Sequence, residues 1–103
     1  MVEKATPQGV IAYTRYLKTI YPELEKVYLF GSFLKGTAHP DSDIDIAAVF
    51  RNVTDSFDLQ VELMKIRRKY DTRIEPHVFE SEDFKKPNPL VEEILKKGIE
   101  IQE

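Results

Sequence analysis

Val27-Tyr28-Leu29-Phe30-Gly31-Ser32-Phe33-Leu34-Lys35-Gly36, then Thr37 to Asp41, then Ser42-Asp43-Ile44-Asp45, is the stretch on which the fold turns. Val27 to Phe30 is a short β-branched and aromatic run that stops at Gly31, the pattern of a buried strand entering a tight turn. Ile44 to Phe50 reads as a second strand, apolar throughout after Asp45. Residues two apart in a strand project to one face about 6.5–7 Å apart. Asp43 and Asp45 can therefore close on one ion while Ile44 enters the core. A hard divalent cation suits that geometry: magnesium takes oxygen ligands at about 2.0–2.1 Å and keeps positions open for water and phosphate. Gly31 lets the backbone approach a phosphate with no side chain in the way, and Ser32 adds a hydroxyl and an amide donor where Phe33 to Lys35 can begin a helical turn. Gly36 lets the chain reverse toward the aspartates. Lys35 is read as solvated, and Asp41 and His39 as turn residues, the latter with Pro40.

The pattern outward from this centre is one of alternating helices and strands. Thr6-Pro7 is a helix start with Pro at the first helical position, and Val10, Tyr13, Leu17 and Ile20 then recur at helical spacing up to Tyr21-Pro22. From about Asp55 to Tyr70 a second helix carries the core stripe Leu59, Leu63, Ile66 and Tyr70. Arg73 to Phe79 reads as a third strand, and its Pro76 points to a sheet edge or an interrupted ladder. Asn88 and Pro89 open a third helix, with Glu92 and Glu93 in its first turn and Lys96 and Lys97 ahead of Gly98. Ile99 to Ile101 adds a brief last strand. The order is α-β-β-α-β-α with that final β, an α/β (α+β) chain.

Glu75 alternates with Ile74 on the third strand, which makes it the candidate third carboxylate, orienting and deprotonating an acceptor hydroxyl. With one ion, or two about 3.5–4 Å apart, such a site supports in-line attack on a phosphorus atom. His77 shares the face of Glu75 and is read as a surface or packing residue. The run Lys65, Arg67, Arg68, Lys69 and Arg73 is read as a solvated face or an interface rather than an RNA-binding surface. Tyr13, Tyr16 and Tyr21 of the first helix are read mostly as core packing.

Composition sets the limits. The 103 residues, 42% hydrophobic, fit a single domain, 1–103. A chain this short has difficulty enclosing a whole substrate, so a protein partner or a second subunit, including a homo-oligomer, is expected. The formal net charge of −3 disfavours nucleic acid as the main partner. Zero cysteines exclude disulfides and thiolate metal sites. The opening MVEKATPQGV has no signal-peptide core and no apolar stretch reaches membrane-spanning length, so a cytoplasmic location is expected.

Gly31-Ser32, Gly36 and Ser42-Asp43-Ile44-Asp45 resemble the signature of the DNA polymerase β-like nucleotidyltransferase superfamily: glycine-serine, a later glycine, then an aspartate-x-aspartate pair. In length and layout the chain is similar to the minimal nucleotidyltransferases of bacteria and archaea, over Val27 to the end. The resemblance implies a small mixed β-sheet backed by helices. It implies nucleotide binding at Gly31, Ser32, Gly36 and Ser42, and metal binding and catalysis by Asp43, Asp45 and Glu75. It implies Mg2+ and ATP, with AMP passed to an acceptor hydroxyl. Some members are similar to the antitoxin half of modules whose toxin is a helical HEPN ribonuclease, and add AMP to a tyrosine of that partner. The expectation is an adenylyltransferase acting on a HEPN-type partner. Its rivals are an antitoxin that neutralises by contact alone and a catalytic subunit acting on a small molecule or RNA end. The superfamily's third carboxylate is commonly an aspartate in aspartate-leucine-valine, where this chain has Glu75 before a proline.

Overall fold

A computed structural model describes residues 6–31 and 43–102. The elements are α1 (Gln8–Ile20), β1 (Leu24–Phe30), β2 (Ile44–Phe50), α2 (Ser56–Ile66), β3 (Ile74–Glu80), α3 (Pro89–Lys97) and β4 (Ile99–Glu100). A 3₁₀ turn at Arg67–Lys69 follows α2, and another at Ser81–Lys85 follows β3. The strands form one mixed sheet in the order β3-β2-β1-β4. β1 is antiparallel to β2 and to β4, whereas β2 and β3 run parallel. Parallel neighbours need a crossover, and α2 supplies it. The expected order of elements is therefore observed, with the brief last strand included.

β2 reads as a continuous apolar run because both of its faces are covered. On one face Ile44, Ile46, Ala48 and Phe50 pack with Val10, Tyr13 and Leu17 of α1 and Leu63 of α2. On the other, Ala47 and Val49 join Tyr28 and Phe30 of β1 and Ile94 of α3, with Phe79 and Phe84 packed against them. Four boundaries or stripes depart from the sequence reading, the first being α2, which ends at Ile66 and passes through the 3₁₀ turn before Tyr70 instead of continuing to it. Pro7 is the N-cap of α1 rather than its first helical residue, because its backbone is extended at ψ 146°. The buried stripe of α1 is Val10, Tyr13, Thr14 and Leu17, while Ile20 is 40% exposed. At about 100° per residue Ile20 falls at the margin of that stripe. β1 begins three residues earlier than the apolar run suggests, since Leu24 pairs with Phe50 across an irregularity at Leu24/Lys26 that admits the polar Glu25 and Lys26.

β3 is an edge strand, as Pro76 indicated, and α2 partly covers its outer edge. Gln60 donates to the Pro76 carbonyl and accepts from the Val78 N–H. The missing N–H of Pro76 leaves no ladder bond unmade there. Asn88 caps α3 by accepting from Leu90 N and Val91 N at 2.8 and 3.2 Å. No helix among the described residues is long and apolar enough to cross a membrane.

The turn into β3 is tied by side chains. Asp71 accepts from the Arg73 backbone N–H at 2.9 Å and from the Arg73 guanidinium at 2.8 Å. The Arg73 hydrogen bond holds the Asp71 carboxyl below the usual carboxylate range. A carboxyl depressed in the fold adds stability above its unfolded pKa of about 3.9 and loses it as pH falls through the folded value. Urea titrations at pH 6 and pH 3 should show Asp71→Asn losing less stability on acidification than the parent protein. On α2, Leu63→Ala should cost about 2–5 kcal/mol, whereas Phe57→Ala, at a side chain 74% exposed, should change the urea midpoint by no more than about 0.5 kcal/mol equivalent.

Candidate functional site

The Asp-x-Asp pair lies where β2 begins. Asp43 is exposed just ahead of the strand, and Asp45 is its second residue. Because side chains alternate, Asp45 shares the α3 side of the sheet with Ala47 and Val49, while Ile44 and Ile46 enter the opposite core. Ile44 enters the core as expected, and Asp45 faces the other side of the sheet.

Register supplies the neighbours. Asp45 pairs with Phe30 of β1 on one side and with Glu75 of β3 on the other. His77, opposite Ala47, projects to the same face one pleat further on. Its Nε2 lies 3.1 Å from Asp45 Oδ1, and its ring sits 5.5 Å from that of Phe30, inclined at 57°. An ionised carboxylate only accepts, so the imidazole N–H donates.

Gly31 ends β1 with φ 87°, in the left-handed region that glycine occupies without penalty. A Cβ at this position would lie 2.5 Å from Asp45 Oδ2 and 3.3 Å from its Cγ. Glycine is required here twice over, for the sign of φ and for the closeness of the carboxylate. Gly31, expected at a phosphate approach, also lies in contact range of Asp45.

Of the residues singled out from sequence, the fold brings Gly31, Asp45 and Glu75 to adjoining positions on three strands, with Asp43 at the entrance to β2. Ser32, Gly36 and Ser42 lie outside the described residues, as do Lys35, His39 and Asp41. Among the described residues no three acidic or histidine side chains converge on one point. The donors at the site are nonetheless carboxylate oxygens, the set a hard divalent cation takes.

His77 is the residue that sequence reasoning undervalued. Period-two alternation put it on the face of Glu75, but only the β2–β3 register reveals that its ring reaches Asp45. The basic run also divides differently than expected. Arg67 is no solvated charge: Nη1 donates to the carbonyls of Thr72 at 2.9 Å and Ile74 at 2.7 Å. Arg73 is paired with Asp71. Among the tyrosines, Tyr13 is fully buried with its hydroxyl on the Leu63 carbonyl at 2.7 Å, and burial pushes its pKa upward. Tyr16 lies half exposed against Tyr70.

The family model for polymerase beta nucleotidyltransferases matches residues 14–103. Protein adenylyltransferase MntA of Shewanella oneidensis is 43% identical over 42 residues, which make up 41% of this chain and 30% of that protein. The match thus spans under a third of the relative's length. The fold is similar to that of a chain in a toxin–antitoxin complex with AMP-PNP, with a TM-score of 0.66 and 22% identity, over 93% of this chain and 73% of that one. It is also similar to a chain in the structure of a tri-AMPylated Shewanella oneidensis HEPN toxin in complex with an MNT antitoxin, with a TM-score of 0.57 and 18% identity, over 92% and 72% of the two chains. At these identities the structural likeness concerns the fold.

Gly31→Ala tests the glycine directly. The unfavourable φ alone should cost about 1–2 kcal/mol in urea unfolding, and the added methyl should turn the Asp45 carboxylate away from its present position. In a crystal structure of the variant the Asp45–His77 hydrogen bond should be broken.

Proposed function

Because this chain belongs to the polymerase beta nucleotidyltransferase family, we propose that it transfers AMP from ATP to a hydroxyl of a helical HEPN-type protein, with Mg2+, and thereby serves as the antitoxin of a two-component module. The observation that carries the reading is the meeting of three strands at Asp45: the left-handed Gly31 against its Oδ2 and Glu75 across the parallel ladder. That arrangement supports the reading: Asp45 lies against a backbone with no side chain in the way, and Glu75 occupies the neighbouring register position on β3.

In this reading Gly31, with Ser32, Gly36 and Ser42, cradles the phosphates through backbone amides and hydroxyls. Asp43 and Asp45 are the carboxylates that hold the cation, and Glu75, the third carboxylate, orients the acceptor beside them. One or two Mg2+ ions, when bound, supply positive charge beside the α-phosphate and the leaving pyrophosphate. The acceptor oxygen forms a bond to the α-phosphorus as the bond to the pyrophosphate oxygen breaks, and Glu75 takes the hydroxyl proton.

The comparisons support the acceptor class. A curated relative is named a protein adenylyltransferase, and a similar fold occurs beside an AMPylated HEPN toxin. ATP as donor is supported by the complex of a similar fold with AMP-PNP.

Label transfer from α-phosphate-labelled ATP, with magnesium and native host extract, is the deciding experiment. The wild-type chain should label one polypeptide, and Asp43→Asn should reduce that labelling by at least about a hundredfold. A partner captured by both forms with no label on any polypeptide would instead make the chain a contact antitoxin, and label on RNA or a small molecule would move the acceptor to that class.

A further inference from the structure

We propose that His77 is the positioning residue of this site, holding Oδ1 of Asp45 so that Oδ2 is presented to the cation. The inference rests on Asp45 being a metal ligand, as argued above.

The two oxygens of Asp45 have different surroundings. Oδ1 accepts from His77 Nε2 at 3.1 Å, while Oδ2 lies over the Gly31 backbone, within 2.5 Å of where any Cβ would be. The donor on one side and the close Gly31 backbone on the other restrict rotation of the carboxylate before any ligand arrives. The imidazole is itself located. Phe30 packs against its ring, and Ala47, directly opposite on β2, carries only a methyl group that leaves room for the ring to lean toward Asp45.

A packing role does not account for His77. Its side chain is 38% exposed, more than that of Asp45 at 27%. What it contributes is one hydrogen bond to a ligand carboxylate, the arrangement by which outer groups orient metal ligands. Its Nε2 is engaged by that bond, so it acts through Asp45 rather than on the ion.

Mn2+ affinity read by electron paramagnetic resonance, in the presence of α,β-methylene-ATP, tests this without turnover. Four full-length proteins are compared: wild type, His77→Phe, His77→Gln and Asp45→Asn. Phenylalanine keeps a ring against Phe30 but has no donor, whereas the glutamine amide can replace Nε2. His77→Phe should weaken Mn2+ binding about 10-fold or more, and His77→Gln should restore it to within about threefold of wild type. Asp45→Asn should lose the bound-ion spectrum. If His77→Phe binds like wild type while Asp45→Asn does not, the positioning role is overturned and the metal site stands. If Asp45→Asn binds like wild type, or wild type holds no Mn2+, the metal reading falls and this inference falls with it. Melting curves establish that each variant is folded, and His77→Ala is read in place of His77→Phe if the latter is not.

Discussion

The backbone bond from Ile44 N–H to the Arg73 carbonyl, 2.8 Å long, starts the parallel ladder between β2 and β3 and sets everything that follows on the sheet. From that one pairing Asp45 lies opposite Glu75 and Ala47 opposite His77. A slip of one residue would turn Glu75 and His77 to the other face and bring Pro76 into their place. The turn before β3 is accordingly held from several directions. Asp71 binds both the backbone and the side chain of Arg73, and Arg67 reaches from the end of α2 to the carbonyls of Thr72 and Ile74. These contacts hold the register of the edge strand, whose outer side is flanked by no further strand among the described residues. The Gln60 bonds to Pro76 and Val78 do the same at the strand's centre.

A carboxylate on a largely covered sheet face is costly unless its oxygens find partners. Asp45 meets that requirement for Oδ1 on His77, and its side chain keeps 27% exposure where β1 ends beside it. The larger core lies on the opposite face, beneath α1 and α2, and secures the sheet through Tyr13, Leu17, Leu63, Ile46 and Phe50. The α3 face has a smaller cluster, built on Tyr28, Phe30, Ala47, Val49 and Ile94. Stability and chemistry are thereby divided between the two sides of one strand: even-numbered residues of β2 pack the main core, and odd-numbered ones lead from the small cluster to the acids.

The basic run around α2 illustrates how charge in sequence differs from charge at a surface. Lys65, Arg67, Arg68, Lys69 and Arg73 look alike in a linear reading, yet Arg67 serves as a bracket for backbone carbonyls and Arg73 as the partner of Asp71. Guanidinium groups suit this because their fixed fork meets two acceptors at once. A surface drawn from all five residues would therefore overstate the charge on offer to a nucleic acid.

Much of the site could be read directly from the sequence, because glycine, Asp-x-Asp spacing and strand periodicity are local properties. Ile44 to Phe50 as a strand, Asp45 on the face opposite Ile44, Asn88 as a helix cap and Pro76 on an edge strand all follow from residue type and period. The family signature could be read for the same reason, since its glycines and aspartates lie within fifteen residues of one another. What no local property contains is which strand lies beside which, in which direction and at what register. The tertiary structure alone decided that β3 runs parallel to β2, that Glu75 stands opposite Asp45, that His77 bonds to its carboxylate, and that Gly31 must be glycine for the sake of Asp45 as well as of its own φ. Those relations join residues up to 32 positions apart, and they exist only because two cores and the tied turn at Asp71 fix the sheet.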